Sequence, residues 1–173
     1  MTGEVGTGRV YYLDASALVK LLVDEPDSSR IKEYFNKHHL FRMTSLCFAE
    51  ALGALKVKYL YRKEITEKGY LNRSHLLTIY LRQGQIKLDE VSLTDPAVFD
   101  EVEAIVRTYQ IDVSDALQIV TLKKGRYRSF VGESQSLLIT ADADLAQAAR
   151  SEGLQVWDCI NEASPEHSPE TAR

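Results

Sequence analysis

Short apolar runs alternate along this chain with longer segments that have helical periodicity. Two of the runs, residues 10–13 and 137–140, are almost continuously apolar, and an aspartate follows each within two residues. Strands without alternating polar residues are buried on both faces, and their sheet needs helices on both sides. The sequence therefore predicts an α/β protein, a three-layer α/β/α sandwich with a central, mainly parallel sheet.

The order of the predicted elements follows from apolar periodicity and from turn and cap signals. Ser45, Thr66 and Thr94 are predicted N-caps, because their hydroxyl groups accept hydrogen bonds from the first amides of a helix. We predict strands over residues 9–13, 41–44, 86–91, 137–140 and 154–157, and helices over residues 15–23, 28–38, 46–62, 66–82, 94–109, 112–125 and 142–152.

The 173 residues are enough for one domain with a substantial core. We expect the Gly-rich residues 1–8 to be flexible, residues 9–160 to form the domain, and residues 161–173 to be a disordered tail. No apolar stretch approaches the roughly 20 residues that a membrane helix needs. The first residues also lack the parts of a signal peptide, so we expect a soluble, cytoplasmic protein with no membrane contact.

The cysteines and histidines argue against a disulfide framework and against a zinc site. Cys47 and Cys159 lie in apolar segments and are predicted core residues, and the four histidines lack ligand spacing. The net charge of -4 argues mildly against nucleic-acid binding. That argument weakens if acidic residues hold cations, because a filled cation site is locally positive.

Two aspartates are placed at the carboxyl ends of predicted strands. Asp14 directly follows the first strand and Asp142 follows the late strand 137–140. Sites of parallel α/β proteins gather at this edge of the sheet. Each residue also has an ordinary interpretation, since aspartate is a favoured helix N-cap and complements the helix dipole.

Two further acids interrupt the apolar faces of predicted helices. Glu50 is the only charge on a face of small and apolar residues, and Asp115 lies between Ile111 and Ile119 at spacings of four. Both residues also have interpretations that need no site. Glu50 could lie at the margin of its face or pair with an arginine, and Asp115 could compensate the helix dipole. Charges in apolar surroundings are costly unless they are paired or bind metal.

The four acids together predict one site for a hard cation, Mg²⁺ or Mn²⁺, which takes oxygen ligands. Ser16 and Thr140 are candidates for orienting a ligand or substrate in this site. Whether Asp112 or Asp144 joins the site remains open.

Four segments, YYLDASALVK, SLCFAEALGAL, DVSDALQIVTL and LLITADADLAQAA, resemble the PIN-domain nuclease family in content and order. The length of the chain is similar to that of VapC-type toxins of toxin–antitoxin pairs. The resemblance implies a PIN-like fold and a metal-dependent endoribonuclease, with Asp14, Glu50, Asp115 and Asp142 as catalytic and metal-binding residues. Ser16 and Thr140 would support them. Its implied partners are an RNA substrate, a second copy in a homodimer and a small antitoxin protein.

The sequence also allows other functions to be compared with a PIN-type nuclease. A catalytically inactive PIN-like module that binds RNA or a protein is the main alternative. A dehalogenase-type phosphatase would need Asp-x-Asp after the first strand, where this chain has Asp14-Ala15-Ser16. The glycines of residues 3–8 precede the first strand, whereas a phosphate-binding loop follows one.

Two segments of the sequence are candidate surfaces for contact with partners. The basic run 123–128 includes a tyrosine that can stack on a base, but it equally suits a solvated helix end. Residues 46–82 carry a surplus of apolar and aromatic side chains, which is typical of a dimer or antitoxin surface and equally of core.

Overall fold

A computed structural model of the chain describes residues 9–128 and 136–165. Within these ranges it contains five strands and seven helices, with one or two helices between successive strands. The elements are β1 (Val10–Leu13), α1 (Ala15–Leu22), α2 (Ser28–Lys37), β2 (Phe41–Met43), α3 (Ser45–Leu60), α4 (Glu67–Arg82), β3 (Ile86–Leu88), α5 (Pro96–Tyr109), α6 (Val113–Lys124), β4 (Ser136–Thr140), α7 (Ala143–Ser151) and β5 (Val156–Asp158).

The five strands form one sheet in the order β3-β2-β1-β4-β5, and every neighbouring pair is parallel. This confirms the predicted α/β fold with a parallel sheet. β1 lies between β2 and β4, so the chain leaves it toward one side of the sheet and returns on the other. Such a switch point opens a crevice at the carboxyl ends of the strands. Asp14 is the first residue after β1 and therefore lies at that crevice.

Helices cover both faces of the sheet and enclose two apolar cores. Tyr11 and Leu13 of β1 face the core that α1 to α4 close, while Val10 and Tyr12 face the core that α5 to α7 close. This alternation follows from the two-residue period of a strand. All four residues of β1 are buried, which confirms that an unbroken apolar strand indicates burial on both faces.

The boundaries of several elements differ from the sequence predictions. Thr44, and not Ser45, caps α3 by accepting from the amide of Cys47. Asp95, and not Thr94, caps α5 by accepting from the amide of Ala97. In both cases a neighbouring oxygen acceptor does the capping. Thr66 caps α4 as predicted.

The ends of the domain were predicted at residues 9 and 160. Residues 1–8 and most of the predicted tail, residues 166–173, lie outside the described part of the chain. Glu162 accepts hydrogen bonds from Arg150 and from the amide of Asp158, beside β5. No described helix is long and apolar enough to cross a membrane. Cys47 and Cys159 are buried, free thiols, as expected of core residues.

Candidate active site

Asp14 is a buried carboxylate that three neighbouring groups hold in place. Its side chain is at the N-cap of α1, and the residue is only 2% exposed. One oxygen, Oδ2, accepts hydrogen bonds from the amide of Ser16 at 3.2 Å, from the Ser16 hydroxyl and from Thr140 Oγ1 at 2.8 Å. Burial raises the pKa of Asp14, these hydrogen bonds oppose the rise, and the charge of Glu50 adds to it.

Ser16 and Thr140 link the ends of β1 and β4. Thr140 Oγ1 donates to Asp14 and accepts from the amide of Asp142 at 2.9 Å. Ser16 Oγ accepts from the amide of Ala141 at 2.8 Å. The two hydroxyl groups therefore fix the backbone of the β4–α7 turn against the Asp14 carboxylate. The structure brings both predicted orienting residues next to a predicted acid.

Asp142 caps helix α7. Its Oδ1 accepts from the amides of Asp144 and Leu145 at 2.8 Å and 3.1 Å. The capping interpretation of Asp14 and of Asp142 is therefore correct, and for both residues it coexists with a position at the switch point. Asp144 is exposed in the first turn of α7, where its charge suits the helix dipole.

Asp115 is the residue at which the acidic charges meet. It lies in the first turn of α6 and is partly buried. Burial raises its pKa to about 8, and the charges of Asp14, Glu50 and Asp142 add to the effect, followed by that of Asp112. The charges of the other three predicted carboxylates therefore all act on Asp115, and the charge of Asp112 acts on it more weakly.

Glu50 is exposed, so the sequence argument for it was wrong in one respect. The buried face of α3 consists of Cys47, Ala51, Leu55 and Lys58, whereas Glu50 lies with exposed Gly53 and Val57 on another face. Apolar periodicity alone did not distinguish a small, open face from a buried one. Glu50 is nevertheless near the other acids, because it raises the pKa of both Asp14 and Asp115.

Two polar residues of α6 were not predicted as members of the site. Ser114 Oγ donates to Glu50 Oε2 at 2.7 Å, which joins the two helical layers across the edge of the sheet. Gln118 Nε2 donates to the carbonyl oxygen of Leu13 at 3.1 Å. Both residues lie within one helical turn of Asp115, and that spacing was the signal available in the sequence.

The donor atoms of this site are of the chemical type that a hard divalent cation takes. Within residues 9–128 and 136–165, no three His, Cys, Asp or Glu side chains are arranged so that they can hold a metal ion. The donors at the switch point are nevertheless carboxylate and hydroxyl oxygens, which Mg²⁺ and Mn²⁺ prefer. Burial and the charges of the neighbouring carboxylates raise the pKa of Asp115, and a cation held beside it would oppose that rise.

The two candidate partner surfaces differ in how far their side chains are already used. In the basic run, Lys123 binds Glu152 at 2.5 Å and Lys124 binds Glu101, so both are ion-paired within the protein. The surface of α3 and the turn after it is more open. It exposes Val57, Leu60 and Tyr61, the last of them 75% exposed, and Leu71 of α4 is 57% exposed.

The fold and the switch-point residues define a parallel α/β protein with an acidic centre. The family model for the PIN domain matches residues 11–151, which include all four carboxylates. The chain therefore belongs to the PIN-domain family, generally a family of metal-dependent nucleases.

A solved structure has the same fold. The crystal structure of PAE2754 from Pyrobaculum aerophilum matches with a TM-score of 0.55 and 18% sequence identity, over 87% of this chain and 90% of that chain. At this identity the likeness concerns the fold alone. No curated protein matches the chain in sequence.

Proposed function

We propose that this protein is an endoribonuclease that depends on Mg²⁺ or Mn²⁺, with Asp14, Glu50, Asp115 and Asp142 as catalytic and metal-binding residues. The observation that supports this most strongly is that Asp115 is partly buried and that the charges of Asp14, Glu50 and Asp142 all raise its pKa. An uncompensated group of acids is costly to the folded protein, and a divalent cation removes that cost. Membership of the PIN family supplies the nuclease class.

The chemistry divides between the cation and the protein. A divalent cation, when bound, lowers the pKa of water and offsets charge on the leaving oxygen of a phosphodiester. The protein holds Asp14 through Ser16 and Thr140 and fixes Asp142 as a helix cap, so these two carboxylates are positioned for a cation that they, Glu50 and Asp115 would hold. This route leaves a 5′-phosphate and a 3′-hydroxyl and needs no nucleophilic side chain.

The toxin role is the finer part of the proposal. The open apolar side chains Val57, Leu60, Tyr61 and Leu71 support a protein-binding surface on α3, α4 and the turn between them. In the proposal this surface binds a second copy or a small antitoxin, and the protein acts on RNA in the cytoplasm. The domain of residues 9–160 would carry the whole activity.

The test is cleavage of an RNA oligonucleotide by the purified protein with Mn²⁺, compared with Asp14→Asn. The variant should lose more than about 100-fold in rate, because a ligand at the centre of the site is removed. Asp144→Asn is the matched control, since Asp144 is an exposed acid beside Asp142 and should leave the rate within about twofold. Undiminished cleavage by pure Asp14→Asn would sink the proposal.

A catalytically inactive module that binds RNA is the second candidate. The observation in its favour is that no described group of side chains is arranged to hold a metal ion. Binding of RNA without cleavage at any concentration of Mg²⁺ or Mn²⁺ would establish this function. Metal-dependent cleavage that Asp14→Asn abolishes would exclude it.

A further inference from the structure

Gln118 is a fully buried amide on α6, one helical turn beyond Asp115. Its Nε2 donates to the carbonyl oxygen of Leu13, the last residue of β1 and the neighbour of Asp14. The hydrogen bond therefore joins the helix that carries Asp115 to the strand end that carries Asp14. It spans 105 positions of the sequence, so it is a tertiary contact between two separate elements.

Packing alone does not explain an amide at this position. The adjacent residues Ala116, Leu117, Ile119 and Val120 are all buried and apolar. Gln118 Oε1 is buried and has no hydrogen-bond partner among the described residues. A buried acceptor without a partner destabilises the folded state. A methionine has a similar volume and no unpaired acceptor, although it would also remove the donor to the Leu13 carbonyl oxygen. The unpaired Oε1 is therefore a cost that filling this volume does not require.

A role in the acidic site accounts for that cost. Asp14 and Asp115 carry like charges whenever both are ionised, and their repulsion then opposes a close approach of the strand end and the helix. Two hydrogen bonds act against this repulsion, one on each side of Asp115. Ser114 holds α6 to Glu50 of α3, and Gln118 holds α6 to β1.

We infer that Gln118 is a positioning residue that fixes Asp115 relative to Asp14 for the binding of a divalent cation. The inference rests on the proposed function, because it assigns a task within the same site. Gln118 itself is not a ligand. It acts through the main chain of Leu13, and its effect is on the affinity for the cation. Residues that orient metal ligands typically change metal affinity by about 10- to 100-fold.

The test compares Gln118→Met with Thr121→Val in titration calorimetry with Mn²⁺ and in urea unfolding. Thr121 is a matched control, because it is also buried on α6 and its hydroxyl accepts from the amide of Val91, away from β1. Gln118→Met should bind Mn²⁺ at least about 10-fold more weakly. Its urea midpoint should fall no further than that of Thr121→Val, because each variant loses one hydrogen bond of α6. Thr121→Val should lower the midpoint and keep the Mn²⁺ affinity within twofold.

A second readout separates positioning from general damage. The cleavage rate of Gln118→Met should return to within about twofold of the wild-type rate when Mn²⁺ is raised to saturation. The inference is overturned if Gln118→Met binds Mn²⁺ as tightly as the wild type. It is also overturned if the variant's loss of Mn²⁺ binding free energy is no larger than its loss of unfolding free energy. If the wild-type protein binds no Mn²⁺ and cleaves no RNA, the proposed function fails and the inference fails with it. If the wild type binds Mn²⁺, Asp14→Asn does not and Gln118→Met is unchanged, the inference alone fails.

Discussion

The two strand-end acids and the two helix acids of the site are held in different ways. Asp14 accepts three hydrogen bonds and Asp142 accepts two, from Thr140 at the end of β4 and from the first turns of α1 and α7. Glu50 accepts one hydrogen bond, from Ser114, and none to Asp115 is found in residues 9–128 and 136–165. The strand half of the site, Asp14 and Asp142, is thus fixed by hydrogen bonds at the strand ends. The helix half, Glu50 and Asp115, is influenced mainly by charge.

This difference separates stability from activity. Each strand-end acid also caps a helix, so its removal affects folding as well as the site. The helix acids contribute repulsion to the cation-free protein, so their removal should spare or improve stability while it weakens cation binding. Substitutions in the two halves should therefore move the free energy of unfolding in opposite directions.

Thr140→Val should give the largest loss of stability, because Thr140 serves both strand-end acids. The substitution removes the donor to the buried Asp14 carboxylate and leaves the amide of Asp142 without its acceptor. We expect the free energy of unfolding to fall by about 2–3 kcal/mol, measured by urea unfolding. Thr140→Ser keeps the hydroxyl and is the control, which should lose less than half as much. Equal stability of Thr140→Val and the wild type would show that the strand half is not held as described.

Asp115→Asn should raise the free energy of unfolding, whereas Thr140→Val lowers it. The pKa of about 8 lies far above the ordinary value of 3.8, so the folded protein keeps a proton that the unfolded chain releases. The free energy of unfolding of the cation-free wild type therefore falls as pH rises from about 4 to 8. Asparagine does not titrate, so the variant should be more stable at pH 8, by an amount on the order of 1–3 kcal/mol after screening by solvent.

The measurement for Asp115→Asn is urea unfolding with EDTA at pH 5 and at pH 8. The advantage of the variant should be larger at pH 8. The same variant should lose Mn²⁺ binding, since a ligand is gone. A variant that is less stable than the wild type at pH 8 would contradict the assignment of Asp115 as the centre of repulsion.

Ser114→Ala tests the hydrogen bond between Ser114 and Glu50, which is the exposed contact of the helix half. Without the Ser114 hydroxyl, Glu50 loses its one described hydrogen bond and moves freely at the surface. We expect cleavage to fall by about 10-fold, as for other residues that orient metal ligands. Stability should change by no more than about 0.5 kcal/mol, because the contact is exposed. An unchanged cleavage rate would mean that Glu50 needs no orientation by α6.

The contrast between the halves also explains what the sequence could predict. The parallel sheet and the positions of Asp14 and Asp142 followed from apolar strands with acids at their carboxyl ends, which are local patterns. The exposure of Glu50 did not follow, because the open face of α3 is apolar or small in sequence and only packing decides which face is covered. The contacts of Ser114 and Gln118 cross 64 and 105 positions, so no local pattern contains them.

Gly53→Ala should produce the smallest effect, and it tests whether the open face of α3 beside Glu50 has any structural role. Gly53 lies in the interior of α3, one turn after Glu50, and a Cβ atom placed there meets nothing within 4 Å. Glycine destabilises a helix interior by about 0.5–1 kcal/mol relative to alanine, so the variant should be more stable by that amount. Ala54→Gly on the same helix is the reverse control and should lose stability. Mn²⁺ affinity of Gly53→Ala should stay within twofold of the wild type, because the added methyl group touches no described part of the site. A fall in stability would mean that this face is covered in solution, and that the exposure of Glu50 belongs to the isolated chain only.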